Sequence, residues 1–357
     1  MEFFVFLKLI VYVLILFLVG CSKNNDLGDS RKFEFTYEIM LDKSDSHVQV
    51  WFPVPKSSEV QSISNETIIH DNLECEKLSE SIHGNNYYYC ENKNGLIDNV
   101  KIIYKCYVER KEHGVVNYTN LTTRNYDKGT NNITVPEGDI FADIISENNL
   151  SSKDMRSVYD YVLDGMHYGK PTNDKNNPNY KYVNGGVNKN TGQEWLPKDI
   201  TYGRLMVNQN ELVDKQNEND KYAYGNGNAV YACDIGVGNC TDYHSYFMSL
   251  SRTLGVPARF HMGFNVPSKD ISGSIGGYHC WADYYQKDEG WYPVDISEAD
   301  KNPSKTDFFF GNLDFNRVEF TTGRDIELYK YEKHINFFIY PLVEGTKFKK
   351  DFSYKNI

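Results

Sequence analysis

The run from Gly236 to Phe264, GVGNCTDYHSYFMSLSRTLGVPARFHMGF, allows few folds, because it spells a helix, a tight stop and a strand in immediate succession. Asn239 is a good helix N-cap, and Asp242 stands at the third helical position, where its carboxylate reaches back to the cap. Tyr243, Phe247, Leu250 and Leu254 recur along one helical face. Gly255 follows the last periodic residue, Pro257 blocks continuation, and Ala258 to Val266 reads as a strand. Cys240 therefore falls in the first helical turn. There the macrodipole and the free backbone N–H groups lower a thiol pKa, and the same N–H groups can hold an oxyanion.

Downstream, GGYHCWADYYQ and GWYPVDIS flank the turn segment QKDEG, which predicts a hairpin centred near Lys287. His279 and Asp295 lie eight residues to either side of that centre, on facing strands and on one face of the sheet. His279 is thus expected to stand between Cys240 and Asp295, supplying a thiol with a base and the base with an orienting carboxylate. Trp281 and Trp291 share that parity and are candidate walls of the site. Strand alternation turns Cys280 to the opposite face. His244, four residues after Cys240, is expected to pack in the helix without a role, and His261 is a strand residue with no evident partner.

A Cys opening a helix, then L-G-V-P-A-R, then H-x-W-x-(D/E) and finally G-W-x-x-x-D resembles the transglutaminase-like superfamily, a papain-like group of thiol enzymes. The likeness spans roughly Ser151 to Asp300. It implies that Cys240 is the nucleophile, His279 the base and Asp295 the third member, with Leu254, Gly255, Pro257, Ala258 and Arg259 as structural signature. SSKDMRSVYDYVLDGMHYGKP looks like the family's leading helix, and Met155, Val158, Tyr159, Val162 and Met166 give it an apolar stripe. The fold class expected is α+β, a papain-like core preceded by an antiparallel β-sandwich. The Cys240 N–H supplies one oxyanion donor by helix geometry. A side chain upstream of the nucleophile usually supplies the other in this family, and Trp195, Tyr202 and Tyr231 are the candidates. Since an amide can orient an imidazole in papain-like sites, Asp295→Asn is expected to be milder than His279→Ala.

Residues 3 to 19 are apolar apart from Lys8, and Leu18, Val19, Gly20 and Cys21 lead at once into the polar SKNNDLGDS. This reads as a secretory signal, and the L-V-G-C run resembles a bacterial lipobox whose Cys becomes the lipid-modified N-terminus. The alternative is an uncleaved signal anchor, since 17 residues lie at the short limit for a span. With Cys21 for lipid and Cys240 for chemistry, Cys75, Cys90, Cys106, Cys233 and Cys280 remain. Cys75 and Cys90 are equidistant from the turn at SIHG, which permits a cross-strand bridge in an exported protein. No Cys or His spacing suggests a metal, no cofactor is expected, and a net charge of -11 argues against nucleic acid as a partner.

The organisation expected is a signal over 1–20, a tether over 21–31, a β-sandwich over 32–135, a catalytic core over 136–300 and a C-terminal β extension over 301–357. The sandwich rests on KFEFTYEIML, HVQVWFPVP, NYYYCEN and VKIIYKCYVER, which alternate apolar and polar residues. The stretch 171–228, rich in Asn, Lys and Gly, reads as an insertion flanking the substrate groove. The activity expected is acyl transfer from a peptide or carboxamide through a thioester, resolved by water or by an amine, with hydrolysis favoured by the resemblance. A surface lipoprotein that keeps the fold without turnover and grips peptide or glycan is the alternative. Either way the partners expected are a peptide or protein and, through the lipid, a membrane.

Overall fold

The computed structural model describes residues 29–119, 134–169, 201–207 and 222–357, with Leu121, Thr123, Tyr126 and Glu211. The leader with Cys21, the oxyanion candidate Trp195 and most of the 171–228 stretch lie outside the described residues.

The chain opens with six strands: β1 (Ser30–Leu41), β2 (Val48–Pro53), β3 (Gln61–Ile69), β4 (Glu74–Ser79), β5 (Asn86–Asn92) and β6 (Val100–Lys111). Two helices follow, α1 (Asp139–Glu147) and α2 (Met155–Gly165), then the short β7 (His167–Tyr168). After them come α3 (Ala229–Ile235), β8 (Val237–Gly238), α4 (Cys240–Thr253), β9 (Ala258–Asn265) and β10 (Ser272–Ser274). The hairpin β11 (His279–Gln286) and β12 (Gly290–Val294) leads into α5 (Ile296–Lys301). Three strands close the chain: β13 (Arg317–Thr322), β14 (Leu342–Glu344) and β15 (Phe348–Asn356).

The fold is α+β, mostly sheet, and its three larger sheets pair antiparallel throughout. One sheet runs β10-β15-β1-β6-β3, a second β14-β2-β5-β4, and a third β12-β11-β9-β13. The residues after 301 are divided among all three, because β15 pairs with β1, β14 with β2 and β13 with β9. In β1 the odd residues Phe33, Phe35, Tyr37, Ile39 and Leu41 are buried while their neighbours reach toward solvent. Each such side chain contributes about 1.5–3 kcal/mol by leaving water. Tyr37 meets Phe52 of the second sheet at 5.6 Å, and Phe35 meets Phe264 and Phe320 of the third at 5.8 and 5.2 Å. The sandwich and the third sheet therefore share one core. Cys75 of β4 and Cys90 of β5 are directly paired in register and joined by a disulfide.

The nucleophile helix forms as its sequence dictates. Asn239 Oδ1 accepts from the Thr241 N–H at 2.9 Å, and the Asp242 carboxylate accepts from the Asn239 N–H at 3.0 Å, a complete capping box. Gly255 takes φ +77°, the left-handed turn that ends the helix. Every residue from Cys240 to Arg252 is buried, so the single apolar stripe understates the packing. Sheet strands β9 and β11 cover one side of α4, and α1, α2, α3 and α5 cover the others.

Candidate active site

Asp242 does more than cap. Its carboxylate also accepts from the N–H groups of Gly225 and Gly227 at 2.9 and 3.0 Å, fastening the loop before α3 to the start of α4. Gly227 has φ +62°, and a Cβ there would lie 2.6 Å from the Thr241 methyl, so only glycine lets the backbone come this close. Burial pushes the Asp242 carboxyl up to about 7, against the three backbone bonds that pull it down.

His279 opens β11 beside this helix end. Its Nε2 lies 2.7 Å from Asp295 Oδ2, and Cys240 neighbours its ring. With Nε2 taken by the carboxylate, Nδ1 is the nitrogen left to serve the thiol. Burial alone would depress the imidazolium, but the charge and hydrogen bond of Asp295, with the bond to Cys240, outweigh it and push His279 up to about 9. Burial likewise opposes a Cys240 thiolate, yet hydrogen bonds from Cys280 and His279 and the charges of His279 and Lys301 hold the thiol well below its ordinary range. Both shifts run in the direction that favours a thiolate and imidazolium pair.

Asp295 reaches this point by a route the strand pattern does not show. The hairpin is centred on Asp288, one residue beyond Lys287, since Ala282 pairs with Val294 and Gln286 with Gly290. β12 ends at Val294, so Asp295 is not on a strand but is the N-cap of α5, its Oδ1 accepting from the Glu298 N–H at 3.1 Å and from Ser297 Oγ at 3.2 Å. Its Oδ2 accepts from Arg317 Nη1 at 3.0 Å as well as from His279. Asp295 is fully buried, burial favours its neutral form, and the cations His279 and Arg317 overcome that to hold it well below the carboxylate range.

Cys280 does not turn away from the site. Its Sγ donates to Thr241 Oγ1 at 3.5 Å, in the first turn of α4 beside Cys240, because α4 packs on the even-numbered face of β11, where Tyr284 meets Phe247. Burial and the neighbouring Cys240 push Cys280 well above the ordinary thiol range, so it stays a donor. Trp281 lies under the site with its ring 6.1 Å from His279, but it is a buried floor. Trp291 is no wall: it stacks 4.2 Å from the Arg259 guanidinium, which is bound to Asp283. His261 has partners after all, Asp283 Oδ2 at 3.1 Å and Glu319 Oε2 at 3.4 Å, drawn from the strands on either side. His244 is held neutral at both nitrogens. Its Nδ1–H donates to the Cys240 carbonyl at 2.6 Å and its Nε2 accepts from the Ile296 N–H at 3.1 Å, and burial pushes it down to about 4. It straps the nucleophile's turn to the residue after Asp295.

Of the oxyanion candidates, Tyr202 packs on His167 and Tyr231 on Tyr222, in a small cluster with Val207, Ile235 and Val237. The tyrosines that feel the Cys240 charge are instead Tyr168, Tyr224, Tyr278 and Tyr340, all pushed up chiefly by burial. On α5, Lys301 pairs with Glu298 at 2.7 Å and lies 4.0 Å from the Tyr168 ring, and Glu298 is 4.0 Å from His279 Nε2. None of these residues, nor Arg317, carries a motif that sequence reading could have used.

Residues 198–296 match the model of the transglutaminase-like superfamily. The chain is 25% identical over 361 residues to an uncharacterized protein of Haemophilus influenzae, a similarity covering 88% of this chain and 86% of that one. Its fold is similar to that of a proposed cysteine protease from Cytophaga hutchinsonii, with a TM-score of 0.50 at 12% identity over 92% of this chain and 99% of the other.

Proposed function

We propose, from the premise that residues 198–296 form a core of the transglutaminase-like superfamily, that the protein is a thiol acyl-transfer enzyme acting on peptide or carboxamide bonds, with Cys240, His279 and Asp295 as its triad. The observation that carries this reading is the placement of Cys240 at the capped start of α4 beside His279, whose Nε2 is held 2.7 Å from the buried Asp295 carboxylate, surroundings that lower the thiol and raise the imidazole. Sulfur attacks the carbonyl carbon, the carbonyl electron pair moves to oxygen, and the Cys240 N–H, the first amide of α4 with no intrahelical acceptor, faces that oxyanion. The tetrahedral intermediate collapses as His279 gives its Nδ1 proton to the departing amine, leaving a thioester. Water, surrendering a proton to His279, then releases the carboxylic acid and restores the thiolate. A bound amine in place of water makes the same site a crosslinking one. We favour hydrolysis, on the protease-like character of bacterial members that the resemblance implies. A fold kept for binding alone would not require a Cys at a helix start set beside a His and its buried carboxylate.

Iodoacetamide alkylation of Cys240, followed by mass mapping of its peptide, tests the pair directly. Reaction is expected well below the ordinary thiol titration near 8.5, with a second rise near pH 9 where the imidazolium loses its proton. A single rise at the ordinary thiol pKa would remove the ion pair and with it this reading.

We place the enzyme in a bacterial envelope, lipid-anchored through Cys21, with the membrane and a peptide or protein substrate as its partners. The L-V-G-C run supports this, as does the Cys75 and Cys90 disulfide, which persists in oxidising compartments. No described helix is long and apolar enough to cross a membrane. Cys21→Ser is expected to lose fatty-acid labelling and leave the membrane fraction, or to accumulate uncleaved. A mature parent chain that still begins at Met1 without lipid would show a signal anchor instead.

A further inference from the structure

Arg317 lies beyond the matched segment, on β13, and its side chain is 1% exposed. Its Nη1 donates at 3.0 Å to the Asp295 oxygen that also accepts from His279 at 2.7 Å, and its Nη2 donates to Asp314 Oδ2 at 3.4 Å. The guanidinium lies over the Trp281 ring, 5.0 Å from its centre, against the floor of the site. The carboxylate that orients the base is therefore shared between two cations.

We propose that Arg317 is a positioning residue that partly neutralises Asp295, so that the carboxylate fixes the His279 ring without holding its proton too tightly. A proton donor must be strong enough to protonate the leaving amine, and a full, unshared carboxylate beside an imidazolium weakens it as an acid. The neighbouring groups do not supply this balance. From α4, His244 is neutral and Cys240 carries the thiolate itself. From α5, the Glu298 carboxylate lies 4.0 Å from His279 Nε2 and raises it further, with Lys301 paired to it at 2.7 Å as its own counter-charge. From α2, Tyr159 feels the Asp295 charge but stays protonated. Asp314 faces Arg317 and moderates it. Arg317 is the cation in direct contact with Asp295 apart from His279 among the described residues.

The inference rests on the thiol-enzyme reading, and the pH dependence of Cys240 alkylation by iodoacetamide in the full chain separates the two. Arg317→Met removes the charge, and the upper rise is expected about one pH unit higher than in the parent, because His279 then answers to an unshared carboxylate. Arg317→Lys keeps a cation and leaves the rise at the parent position. Asp314→Asn, at a side chain 20% exposed, strips the second counter-charge from Arg317 and moves the rise downward. That variant answers the question even where a buried substitution fails to fold. A Met variant with an unmoved rise, Lys and Met variants that shift together, or an Asp314→Asn shift that is zero or upward overturns the role of Arg317 and leaves the ion pair intact. A parent without the early thiolate rise overturns both.

Discussion

Cys240→Ala is expected to fold and to show no turnover. The residue is 2% exposed, so its sulfur leaves a small void worth about 1 kcal/mol. The contacts that build the helix end belong to other residues, Asn239 to Thr241 and Asp242 to Gly225 and Gly227, and all survive the change. What disappears is the atom that attacks. His279→Ala keeps the thiol but removes both its proton acceptor and the acid that releases the amine, and turnover is expected to fall about 10³ to 10⁴-fold. Activity assays beside thermal melting decide both. A Cys240→Ala chain that fails to fold would assign the residue to the core, and parental turnover in His279→Ala would remove the base.

Asp295→Asn is expected to be severe, against the milder outcome that the papain-like comparison suggests. Four donors converge on this carboxylate: His279 and Arg317 on one oxygen, the Glu298 N–H and Ser297 hydroxyl on the other. An amide has one acceptor oxygen, so in either orientation its NH₂ confronts a donor. The change also leaves Arg317, almost fully buried, with only Asp314 as a close counter-ion among the described residues. Removing one partner of a buried charge pair costs about 3–5 kcal/mol. The expected result is a lower denaturation midpoint together with lost activity, and Asp295→Asn combined with Arg317→Met recovers part of the stability, since the stranded charge is gone. An Asp295→Asn protein that melts like the parent would show that Arg317 does not depend on this carboxylate.

The mildness expected of Asp295→Asn shows where sequence reading stops. Parity counting across the hairpin brought Asp295 to His279, and the two do meet, but the residue acts from a helix cap one position past the strand. The same counting put Cys280 on the face away from His279, as it is, but could not show that α4 and the nucleophile's turn pack on that even-numbered face.

The local grammar of the chain was legible because its causes are local. The Asn239 and Asp242 cap, the Gly255 stop, the strand after Pro257, the alternating β1 and the reach of Cys75 to Cys90 each depend on residues close in sequence. The charges that set the chemistry are not close. Arg317 arrives from β13, Glu298 and Lys301 from the turn of α5, and Tyr168 and Tyr224 from segments before the nucleophile. Sequence determined which thiol and which imidazole would meet. Only the tertiary structure decided the electrostatic surroundings of that pair, because burial and the summed charges of distant segments set the direction of a pKa shift, and neither has a spacing that a sequence can show.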